Sequence, residues 1–125
     1  MDYEKDSLDP ARWQRQMELH LETVAIAKKV WEDLLTRNAR DEITWLRLGH
    51  AYMQLGDNPA AIACLILSNV FARAGKAGKI LGNLVQAETL PILGDIEKKV
   101  RYFLDLYHLG DLLDKCLTLF KKLVN

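Results

Sequence analysis

The sequence predicts an all-α domain of about six helices, arranged as antiparallel hairpins stacked into a short solenoid or bundle. Three observations carry this. Apolar residues recur at intervals of three and four along almost the whole chain. No stretch alternates with period two for long enough to form a strand. Asp-Pro pairs and glycines fall between the periodic stretches, where helices start and stop. At 125 residues the chain has room for one core and little for a second domain.

The residues before Asp9 are polar and are expected to be disordered. Asp9-Pro10 opens the first helix: the Asp side chain caps an orphan N–H, and proline at the first helical position sacrifices none. Trp13, Met17, Leu21, Val24, Trp31 and Leu35 form one stripe, with Ala27 and Leu34 beside it, and the helix is expected to end near Asn38. The pattern fits one long helix or two. A second helix starts near Asp41 and carries Ile43, Trp45, Leu46, Leu48, Tyr52, Met53 and Leu55 until Gly56 closes it. Asp57-Asn58-Pro59 repeats the opening signal for a third helix over 59–73, apolar nearly all round through Ala60–Phe71. Such a helix is either the centre of the bundle or an oligomer interface. Gly75 and Gly78 precede a fourth helix over 77–90, which Pro91 halts. Gly94-Asp95 opens a fifth, whose Ile96, Val100, Phe103, Leu104 and Tyr107 share a face, and Gly110-Asp111 ends it and caps a sixth carrying Leu112, Leu113, Cys116, Leu117, Phe120, Leu123 and Val124.

Charge excludes some functions. Lys plus Arg is 17 and Asp plus Glu is 17, so no global field draws the chain to nucleic acid or anionic lipid. Residues 1–62 hold 8 basic and 11 acidic side chains and residues 63–125 hold 9 and 6, with no block of one sign. The longest apolar run, Pro59–Leu67, falls well short of the roughly 20 residues a membrane span needs. No basic region followed by an apolar core marks a secretion signal, and two cysteines, Cys64 and Cys116, make no disulfide framework. A cytoplasmic protein is expected.

Trp45-Leu46-Arg47-Leu48-Gly49-His50-Ala51-Tyr52 reads W-x2-L-G-x2-Y, with Gly56 at the turn, Ala61 at the small packing position and Leu65 where an aromatic is usual. Residues 42–75 thereby resemble the tetratricopeptide repeat. Arg73 stands in place of the closing proline. Residues 24–41 and 107–125 resemble half-repeats more weakly, through Ala27 and Trp31 and through Cys116, Phe120 and Leu123. Gly49 and Ala61 lack bulk, so their two helices can approach closely while Trp45 and Tyr52 fill the space around them.

The resemblance implies a groove lined by the first helix of the repeat, through Ile43, Leu46, Arg47, His50, Met53 and Gln54. Mostly apolar, it does not suit a terminal carboxylate; it suits an apolar peptide or amphipathic helix of another protein. The expectation is therefore an adaptor or small chaperone. The alternative is a structural helical subunit that self-associates, its groove filled by its own N-terminal or last helix. Trp13 either anchors a partner or packs on Met17 and the core.

No chemistry-bearing motif competes. Arg73-Ala74-Gly75-Lys76-Ala77-Gly78-Lys79-Ile80 lacks the first glycine and the hydroxyl of a phosphate loop and follows no strand. His20, His50 and His108 lie in separate helices; Asp105 and His108 would share a face, but no second ligand pair accompanies them. Neither cysteine has an adjacent base, and no Gly-x-Ser-x-Gly elbow occurs. No enzymatic activity, cofactor or metal is expected.

Overall fold

A computed structural model describes residues 9–72 and 92–124. The expected disordered start, the turn over 73–79 and the helix expected over 77–90 lie outside the described residues. Among those described, the regular elements are all helical: α1 (Pro10–Arg37), α2 (Glu42–Gln54), α3 (Asn58–Phe71), α4 (Leu93–Leu106), a tight 3-10 turn (Gly110–Leu112) and α5 (Leu113–Val124).

Capping chemistry sets the starts. Asp9 Oδ1 accepts the Ala11 N–H at 3.1 Å, and Pro10 follows it. From there α1 runs 28 residues as one helix. Asp57 Oδ1 accepts the Ala60 N–H at 3.2 Å and opens α3 in the same way. Between them α2 stops where Gly56 takes φ +84°, with the Asp57 N–H bonded to Tyr52 O and the Gly56 N–H to Met53 O. These two bonds satisfy carbonyls that the helix end would otherwise orphan.

The core is built around α3, in which every residue from Ala60 to Ser68 is buried. The all-round apolar helix is thus the centre of the chain's own core, with α2 packed most extensively against it and α4 and α5 covering other sides. The α2–α3 crossing is close. A Cβ added at Gly49 would lie 3.2 Å from Ala61 O, 3.2 Å from Leu65 Cδ2 and 3.3 Å from Cys64 Cβ. Trp45 is wholly buried, meets the rings of Phe103 and Tyr107 edge-on at 5.5 and 5.4 Å, and donates its indole N–H to Ala39 O at 2.7 Å. Ser68 Oγ donates to Glu42 O at 2.7 Å, tying the far end of α3 to the start of α2.

The α4 end differs from the sequence reading. Gly94 lies inside the first turn, Ile92 holds the N-cap position, and the helix closes at Leu106 rather than at Gly110. His108, with φ +57°, takes the left-handed position there, the Leu109 N–H reaching Leu104 O at 2.7 Å and the His108 N–H reaching Asp105 O at 3.3 Å. Leu104 and Leu109 are both buried in the core, and this apolar contact accompanies the closing motif. His108 therefore stands beyond the helix and does not share the Asp105 face, which removes the two-ligand spacing the sequence suggests.

Candidate protein-binding surface

α1 lies antiparallel to α2. His20 Nε2 is 3.1 Å from Gln54 Oε1 at one end, and the Arg47 guanidinium stacks 5.2 Å from the centre of the Trp31 ring nearer the other. Lys28 adds an ammonium 5.0 Å from the Tyr52 ring centre and 3.2 Å from Glu32 Oε1.

These contacts divide the six residues expected to line a groove. Arg47 and Gln54 are exposed but engaged by α1. Leu46 and Met53 are half-buried and pack against the core. Ile43, at 51% exposure, and His50 remain open. Part of the α2 face is thus occupied by the chain's own long helix, and the open part is a strip of Ile43 and His50 with Leu46 and Met53 at its edge.

A second set of residues joins this strip; the sequence reading placed Leu34 beside the main stripe and did not single out the other two. On α1, Ile26 is 66% exposed, Val30 48% and Leu34 37%. Their spacing of four and four places them on one row, which follows Trp31 round the helix on the side where Arg47 lies. In the antiparallel register set by Trp31–Arg47 and His20–Gln54, Leu34 is level with Ile43, Val30 with Arg47 and Ala27 with His50. The apolar row of α1 therefore runs beside Ile43, Arg47 and His50 of α2 on the surface. The signal was present in the sequence: α1 has two apolar stripes, and only the one through Val24 and Leu35 is needed to bury the helix.

Burial pushes the Cys64 thiol well above its ordinary value and the Cys116 thiol up to about 11, so both stay protonated and unreactive at neutral pH. Tyr52 and Tyr107 are raised by burial first and by the nearby charge of Glu32 among the further causes, Tyr107 to about 12. An open cavity of about 520 Å³ between α1 and the end of α4 is lined by Glu32, Asp33, Thr36, Leu106, Tyr107 and His108 among others. Among the described residues no three His, Cys, Asp or Glu side chains group as a metal site, and no helix is long and apolar enough to cross a membrane.

Comparison with family models, with curated proteins and with solved structures finds no match for this chain.

Proposed function

We propose that this protein is a protein–protein interaction module, an adaptor or small chaperone, that holds an amphipathic helix of another protein along the α1–α2 surface. The observation that carries this reading is the apolar row of Ile26, Val30 and Leu34 on α1 with Ile43 of α2 beside it, all four exposed. The spacing of four along Ile26, Val30 and Leu34 offers successive turns of a docked helix apolar contacts, with Ile43 beside them. The close crossing of α2 and α3 at Gly49 supports the resemblance to the tetratricopeptide repeat, in which helices of this kind present a docking surface. A cytoplasmic location belongs to the same reading, and two unpaired, buried cysteines support it.

Ile43 and Val30 are the discriminating positions, because Leu46 and Met53 pack against the core and their loss would disturb the fold. Selection of a displayed library of helical peptides on the wild-type chain is expected to enrich sequences with apolar anchors at i, i+3/i+4 and i+7. Val30→Glu and Ile43→Glu should each weaken those peptides more than about tenfold while leaving helicity and melting unchanged. Enriched peptides that bind both variants as well as wild type, or a selection that enriches nothing, would overturn the reading.

A further inference from the structure

The exposed row on α1 continues past the end of α2. Leu19, at 62% exposure, extends it toward the N-terminus, one heptad before Ile26. Thr23 stands between them and spends its hydroxyl within the helix, donating to Leu19 O at 2.9 Å, so it makes no polar demand on whatever covers it. Leu19, Thr23, Ile26 and Val30 recur at four, three and four, the seam spacing of a two-stranded coiled coil, over about 16 Å of helix. Gln16 and Asp33, the next positions of the same pattern, close the row with polar groups at either end.

One edge of this row is charged. Glu22 precedes Ile26 by four residues and Lys29 follows it by three, so both flank it on the same side. Both are exposed, and neither has an ion pair among the described residues. Asp33, one turn from Lys29, is taken up by Arg37 at 3.4 Å. The other edge, on the α2 side, carries His20, Ala27 and Leu34 and holds neither carboxylate nor ammonium.

That arrangement is complementary to itself about a two-fold axis. Two copies of α1 laid antiparallel, with Thr23 of each against Ile26 of the other, also set Leu19 against Val30. On the charged edge they bring Glu22 of each copy within about 3 Å, measured along the helices, of Lys29 of the other, in the flanking positions where ion pairs choose partner and orientation. Symmetry makes the pair twice. In a parallel pair the charged edge would face His20, Ala27 and Leu34 and meet no opposite charge. Arg12 and Arg37 come level only beyond Gln16 and Asp33, where like charge confines the contact to the row.

We infer that, when no partner helix is docked, this row is covered by α1 of a second copy of the chain, antiparallel, with Thr23 and Ile26 at the two-fold axis. The inference rests on the reading above that the row docks a helix, and it names the helix that lies there first. Such an interface is isologous and closes as a dimer. It is short beside the roughly 1,200–2,000 Å² of a stable interface, so the dimer dissociates on dilution and a partner helix can replace the second copy.

Light scattering of the full chain from micromolar to millimolar concentration is expected to show a monomer–dimer equilibrium. Ile26→Glu should weaken it more than about tenfold at unchanged helicity, since Ile26 is exposed in the single chain. Glu22→Lys alone and Lys29→Glu alone each turn both attractive pairs repulsive and should weaken the dimer about three- to tenfold. Mixed together, those two variants should pair with each other, and the double exchange in one chain should restore wild-type association. A chain monomeric throughout, a dimer indifferent to the charge exchanges, or a mixture no more associated than either variant by itself overturns the inference. If the chain still selects helical peptides, the docking reading survives that failure. A charge-sensitive dimer beside a selection that enriches nothing overturns the docking of a foreign helix and leaves the second copy in place.

Discussion

Gly56 and His108 hold the same backbone role at the ends of α2 and α4, each in the left-handed conformation that lets the next N–H reach back to an orphan carbonyl. Glycine adopts it freely, whereas a residue with a Cβ meets the following carbonyl at a cost of about 1–2 kcal/mol. No atom lies within 4 Å of a Cβ added at Gly56, so the penalty for filling it is conformational rather than steric. Gly56→Ala should therefore lower stability by about 1 kcal/mol, and His108→Gly should raise it by up to about 1 kcal/mol. Urea denaturation reads both as opposite shifts in midpoint at constant slope. The glycine was legible in the sequence because its residue type announces the conformation. The histidine was not, since nothing local distinguishes it from a histidine in the middle of a turn, and Gly110 two residues on offered a more conventional stop.

At the scale of elements, the α2–α3 hairpin depends on the absence of side-chain volume at one crossing. A Cβ at Gly49 meets Ala61 O and Cys64 Cβ, both fixed to the α3 backbone, and the terminal methyl of the buried Leu65 side chain, at 3.2–3.3 Å. Gly49→Leu should cost about 1–3 kcal/mol or more, as should Ala61→Leu, because bulk forces the helices apart and Trp45 with them. An unchanged melting temperature in either variant would show that the crossing is looser than this geometry. The hairpin was readable from Trp45, Gly49, Tyr52, Gly56 and Ala61 together. The face of α2 left open was not, since Arg47 and Gln54 look free until Trp31 and His20 are brought against them.

For the whole molecule, four ionisable groups in and around the core share one preference. Tyr52, Tyr107, Cys64 and Cys116 all have raised pKa values, with burial the first cause in each and the charge of Glu32 adding to the first three. Each is neutral when protonated, so the native state holds its proton to higher pH than the unfolded chain does. The sign follows from linkage: these groups add no pH dependence well below pH 9, where both states are protonated, and lower stability as pH rises through the interval in which the unfolded groups ionise and the native ones do not. That interval opens near 9 for the cysteines and 10 for the tyrosines, and extends to about 11 for Cys116 and about 12 for Tyr107. The melting temperature should be steady from neutral pH to about 9 and then decline to 12, with tyrosinate absorbance appearing together with loss of helicity.

Helix starts at Asp9-Pro10 and Asp57, the glycine stop at Gly56 and the central burial of the Ala60–Ser68 helix follow from the sequence by itself. Caps, proline and the left-handed conformation act within one turn, and a helix apolar on every side has to be enclosed. Which of α1's two apolar stripes is covered, and how far it stays covered, was decided only in three dimensions. Both stripes satisfy the helical period equally. The choice is made by α2, which touches α1 through residues 34 apart at His20–Gln54 and ends before Trp13 and Met17 are reached. Local pattern reports that a surface is apolar; only the length and placement of a distant neighbour determine whether it ends as core or stays exposed.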